Sequence, residues 1–102
     1  MARENGQWTF LTNYGHVLLC IAGDPGVRLR DIAARVGITE RAAQRIVTDL
    51  VDSGYISRTR VGRRNVYEVH HDQPLRHELI EDRDVGEFLT VLSHGPARAR
   101  AS

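Results

Sequence analysis

Arg41, Gln44, Arg45 and Thr48 follow one another at spacings of three, one and three, which sets them along one side of a helix that Thr39 would open. Their chemistry is planar hydrogen bonding. An arginine fork donates two parallel bonds to a phosphate or to the edge of guanine, and a glutamine amide donates and accepts in the pattern of adenine. A second group, Arg58, Arg60, Arg63, Arg64 and Asn65, lies in a stretch with no acid between residues 53 and 67. In an extended strand Arg58 and Arg60 share a face by the period of two, and Arg63 and Arg64 fall beside Gly62 at a loop tip. Arg28 and Arg30 add two more cations upstream. Each set also has a plain reading, as a solvated helix face or as an edge hairpin kept soluble by charge. Four wing arginines without an acid tilt the balance toward a polyanion.

The overall charge of the 102-residue chain is +1, but its distribution is uneven. Residues 27–64 carry nine arginines against Asp31, Glu40, Asp49 and Asp52, a balance of +5. Residues 65–94 carry Arg76 and Arg83 against seven acids, a balance of −5. A polyanion senses such a local excess whatever the total. All fourteen basic residues are arginine.

Positioning these groups requires a scaffold, and the apolar periods predict one. Tyr14, Val17, Leu18 and Ile21 predict a helix over about 13–22, ended by Gly23-Asp-Pro-Gly26. Val27–Leu29 reads as a short extended piece. A second helix over about 30–36 turns Ile32, Ala33 and Val36 inward and stops at Gly37. Thr39 caps a third, over about 40–53, with Ala43, Val47 and Leu50 inward. The period then becomes alternating: Tyr55–Val61 and Asn65–His70 read as strands joined by Gly62-Arg63-Arg64. Residues 71–83 read as loop. Asp84-Val-Gly-Glu87 has the pattern of a capping box and opens a last helix, about 85–94. The fold class is mainly α with a small β-hairpin. Residues 8–94 form the one expected domain, with flexible tails at 1–7 and 95–102.

The run from Leu29 to Ile56, with Ala33, Gly37, Ile38, Thr39, Ala43, Val47, Leu50 and Gly54-Tyr-Ile56, resembles the helix-turn-helix of winged-helix regulators of the MarR-like and ArsR-like families. Arg58 to Tyr67 resembles their wing. The resemblance implies a winged helix-turn-helix: a three-helix core, a two- to three-stranded sheet and a C-terminal helix. It implies a sequence-specific regulator of transcription bound to double-stranded DNA. Thr39, Arg41, Gln44, Arg45 and Thr48 would then read bases in the major groove, and Arg28, Arg30, Arg58, Arg60, Arg63, Arg64 and Asn65 would hold the backbone or enter the minor groove. Terminal helices of two MarR-like subunits pack together. The wide apolar face of the first helix and the amphipathic last helix agree with such a homodimer, through Trp8, Phe10, Leu19, Phe88, Leu89 and Leu92. The alternative is that these residues complete each subunit's own core.

Other chemistries find less support. Cys20 has no internal disulfide partner, and its apolar setting predicts a buried, inert thiol rather than a redox sensor. ArsR-like regulators often sense metals through cysteine clusters, a pattern from which this chain departs. His70, His71 and His77 read as solvated loop histidines, because nothing fixes their ligand geometry, and no metal or other cofactor is expected. No phosphate loop, nucleophile motif or spaced acid pair points to an enzyme. With 41% hydrophobic and 26% charged residues, no apolar run of bilayer length and no secretion-signal plan at the start, a cytoplasmic protein without membrane contact is expected. A separate sensor domain does not fit in this length, and no effector is legible. Two rival functions stay open: a winged-helix protein-interaction module without specific DNA binding, and non-specific binding to nucleic acid.

Overall fold

The apolar period around Val17, Leu18 and Ile21 becomes helix α1, Asn13–Gly23, which buries those three side chains. A computed structural model of the chain describes residues 8–92. The chain leaves α1 through a turn in which the Val27 N–H donates to the Asp24 carbonyl, 3.0 Å, and the Gly26 N–H to the Asp24 carboxylate, 3.2 Å. Pro25 supplies the fixed φ that such a turn favours at its second position. Helix α2, Leu29–Val36, buries Ile32, Ala33 and Val36.

Gly37 ends α2 with φ +88° and ψ +36°, a left-handed conformation that costs glycine nothing and other residues about 1 kcal/mol or more. Two residues later Thr39 takes up extended backbone, and its hydroxyl accepts the Ala42 N–H at 3.0 Å. A left-handed stop followed so closely by a capped start fixes the angle at which α3, Glu40–Asp52, leaves α2. Thr39→Ala removes the cap and is expected to cost about 1 kcal/mol, lowering Tm by about 4–8 °C in a thermal melt. An unchanged Tm would show that water satisfies that amide equally well.

Strands β1, Ile56–Val61, and β2, Arg64–Val69, pair antiparallel from Ile56 opposite Val69 to Val61 opposite Arg64. The connection is only Gly62-Arg63, with Gly62 at φ +64°, the first-position glycine that a two-residue hairpin turn uses. Arg64 was expected in the loop; it pairs with Val61 and so belongs to β2. No third strand forms among the described residues. Leu29 opens α2 instead of extending, so Val27 enters the core alone, and the remaining link is the Tyr67 N–H donating to the Pro25 carbonyl, 2.9 Å.

Residues 71–83, expected as loop, close on themselves together with Asp84. Pro74 bridges Asp84, Leu75 N–H donates to the Arg83 carbonyl and Val85 N–H to the Gln73 carbonyl, both at 2.9 Å. Helix α4 then runs from 85 and is described to 92. Its start is a reciprocal capping box: Glu87 accepts the Asp84 N–H at 3.0 Å while Asp84 accepts the Glu87 N–H at 2.9 Å. Residues 93–94 of the expected last helix, and the tails expected at 1–7 and 95–102, lie outside the described residues.

All of these elements meet in one core. Val17 and Ile21 from α1, Ile32 from α2, Val47 from α3, Ile56 from β1 and Val85 from α4 are its largest fully buried side chains. Three helices, a two-stranded wing and a further helix are the winged helix-turn-helix architecture. Among the described residues no helix is long and apolar enough to cross a membrane.

Candidate nucleic-acid interface

Helix α3 turns Ala43, Ile46, Val47 and Leu50 to the core. At 100° per residue, Arg41 then stands opposite the buried stripe, with Gln44 and Arg45 on its two flanks. Thr39, Arg41, Gln44 and Arg45 are all exposed, whereas Thr48 is half-buried and offers less of its hydroxyl. Thr39, Arg41 and Arg45 line one side of a cleft of about 630 Å³, and Tyr14 of α1 faces them across it.

The wing supplies the second group. Arg58 and Arg60 continue the strand face that begins with buried Ile56, opposite Tyr67 and Asn65. Because the wing runs out past the core, the same face that is apolar at its base is cationic and exposed toward its tip. Arg63 is exposed in the turn itself. A hollow of about 180 Å³ between the wing and the start of α2 brings Arg28, Arg63, Arg64 and half-buried Asn65 together. Arg30 is exposed but lines neither hollow.

Arg64 has a structural task as well. Its guanidinium donates to the Gly26 carbonyl, 38 residues earlier, and ties the wing to the turn before α2. Arg60 Nε also donates to a backbone carbonyl, that of Gly62 at 3.3 Å, a bond within the wing itself. Among the described residues the one ion pair is Arg83–Glu87 at 3.0 Å, so no arginine between 28 and 64 is neutralised by a carboxylate. Such a surface keeps its field for an external anion.

Two further contacts hold α3 in place, and the sequence reading missed both. The Tyr14 hydroxyl donates to Asp49 Oδ2 at 2.5 Å, across 35 residues. That bond, to an acceptor that is itself anionic, pushes the Tyr14 phenol above its ordinary pKa. His70 joins the end of α3 to the wing: its Nδ1 donates to the Gly54 carbonyl at 2.7 Å, and Nε2 meets the Ser57 hydroxyl at 2.6 Å. Because a carbonyl only accepts, the Nδ1 proton is assigned, and in the neutral ring Ser57 donates to Nε2. His70 is therefore a bonded, half-buried residue rather than a solvated one. Among the described residues, no three His, Cys, Asp or Glu side chains gather as metal ligands. Cys20 is half-buried, and that burial pushes its thiol pKa up, away from the reactive thiolate.

The residues expected at a subunit interface divide. Leu89 is buried in the core of its own subunit, where α4 packs down on it, and Leu19 and Phe88 are half-buried against that core. Trp8, Phe10 and Leu92 remain exposed, Trp8 at 73% and Phe10 at 92%, with their rings in edge-to-face contact at 4.9 Å. Leu79 and Val91 are similarly bare, at 81% and 69%. Phe10 also lines an apolar groove of about 530 Å³, with Leu18, Leu50, Tyr55, Ile80 and Phe88.

The MarR family profile matches residues 11–64, which take in α1, α2, α3, β1 and the wing turn. No curated protein matches the chain. Because that match spans more than half of the sequence and covers the helix-turn-helix with the first strand and turn of the wing, the protein belongs to the MarR family of DNA-binding transcriptional regulators.

Proposed function

We propose that this protein is a sequence-specific regulator that inserts α3 into the major groove of double-stranded DNA and lays its wing on the adjoining backbone or minor groove. The observation that carries the reading is the set of exposed arginines on α3 and on the wing, Arg41, Arg45, Arg58, Arg60 and Arg63, none of them paired with an acid among the described residues. Arg41, Gln44 and Arg45, with Thr39 and Thr48 at the edges, read bases. Arg58, Arg60, Arg63, Arg28, Arg30 and Asn65 hold the backbone, as does whatever donor capacity Arg64 retains beyond its carbonyl bond. The role is regulatory rather than enzymatic, in the cytoplasm, and calls for no cofactor.

The test is fluorescence anisotropy against two labelled duplexes over a range of salt. One carries the DNA upstream of the protein's own gene and the other its scrambled counterpart. Tighter binding to the first, with a steep salt slope, is expected. Equal, salt-sensitive binding to both would argue for a non-specific role, and no binding at low salt would favour a protein-interaction module.

The active form is a homodimer, so that two copies of α3 meet half-sites about one helical turn apart. Support comes from Trp8, Phe10, Leu79, Val91 and Leu92, large apolar side chains left exposed, and from the apolar groove that Phe10 lines. Replacing Trp8 and Phe10 by serine is expected to shift sedimentation from dimer to monomer at micromolar concentration without lowering the subunit's helix content. A wild-type chain that sediments as a monomer throughout would refute the dimer.

A further inference from the structure

Arg45 and Asp49 stand one helical turn apart on the flank of α3 that faces α1. An arginine and an aspartate at this spacing attract each other. A guanidinium folded back onto Asp49 would be withdrawn from an external anion. In the structure they do not pair: among the described residues Arg45 has no ion-pair partner, and Asp49 Oδ2 accepts the Tyr14 hydroxyl. Tyr14 also lines the cleft that contains Arg45 and Arg41, so one side chain touches the carboxylate and borders the arginines.

We propose that Tyr14 is a positioning residue for DNA binding, holding the Asp49 carboxylate turned toward α1 so that Arg45 stays free for DNA. One hydroxyl does not saturate a carboxylate, which has lone pairs to spare. It does fix where the carboxylate points. Asp49 is half-buried, and the bond from Tyr14 holds it at the surface on the side of α3 that faces α1. Without that donor, the guanidinium one turn back on the same helix face is a strong partner for it, as is Arg76, which lines the same groove as Asp49. The hydroxyl therefore separates two charges that the helix sets side by side. This inference rests on the reading of Arg45 as a DNA contact.

The experiment compares Tyr14→Phe, Asp49→Asn, the double variant and Arg45→Ala on the upstream duplex and its scrambled counterpart, with a thermal melt of each. Tyr14→Phe is expected to weaken binding to the upstream duplex by about two- to fivefold, the scale of one released helix-surface ion pair. Asp49→Asn, which cannot capture Arg45, is expected to bind at least as tightly as the wild type. The double variant is expected to match Asp49→Asn, since phenylalanine does no harm once the competing carboxylate is gone. A merely structural role for Tyr14 predicts no such rescue. If the loss in Tyr14→Phe persists in the Asp49→Asn background, or if Tyr14→Phe binds like the wild type while Arg45→Ala does not, the inference is overturned and the DNA reading stands. If Arg45→Ala itself binds normally, Arg45 is no DNA contact, and both readings of that residue fall together.

Discussion

Replacing Gln44 and Arg45 together by alanine is expected to reduce the preference for the cognate duplex over a scrambled one by about two orders of magnitude or more. Each bidentate pair with a base edge is worth about 1–3 kcal/mol of discrimination, and neighbouring contacts need not add. The two side chains flank Arg41 on the exposed side of α3, while Ala43 and Val47, both essentially buried, hold the helix from behind. Alanine at 44 and 45 preserves helix propensity and touches nothing in the core, so the fold should survive. Binding to scrambled DNA should fall far less, through the loss of one positive charge. Affinity for both duplexes measured across salt concentrations checks this. An equal loss on both would reduce Gln44 and Arg45 to backbone contacts.

Removing Arg58, Arg60 and Arg63 together is expected to weaken binding to every duplex alike and to flatten the salt slope by about two to three units. Each arginine that neutralises a phosphate releases about one condensed counterion, and log K falls by about 0.9 per contact for each decade of salt. None of the three makes an ion pair among the described residues, and all are exposed. Tm should therefore change little, the bond lost being the local one from Arg60 Nε to the Gly62 carbonyl at 3.3 Å. Arg64→Ala is expected to behave differently: it frees the Gly26 carbonyl and loosens the wing from the turn before α2, so Tm falls with it. A salt slope that the triple variant leaves unchanged would remove the wing from the DNA contact.

Both predictions lean on residues that were legible as a pattern before any coordinates. Arginines on an amphipathic helix and on a hairpin announce themselves by period and by the absence of acids. The division of labour among them was not legible. Arg63 and Arg64 are adjacent and chemically identical, yet one ends in solvent and the other on a backbone carbonyl 38 residues away. Thr48 looks as outward as Arg41 on a helical wheel, but it is half-buried. Tyr14 fits the apolar stripe of α1 by spacing, and its hydroxyl nevertheless finds Asp49 on α3.

Readable from the chain alone are its charge distribution, a basic middle set against an acidic end, and the features set within about four residues: the 3.6 and 2.0 periods, the glycine stop at 37 with its cap at 39, and the Asp84–Glu87 capping box. The latter are local because backbone hydrogen bonds, caps and turns close over short spans. The rest depends on which surfaces come within a few ångströms once the core has packed. That packing buries Leu89 and leaves Phe10 bare, folds residues 71–84 back on themselves, and brings His70 to Gly54 and Ser57. Hydrophobic burial is non-directional, so a pattern of apolar residues says that a face will be covered without saying by what. The partner of each long-range polar group follows only from the packed arrangement of helices, wing and loop.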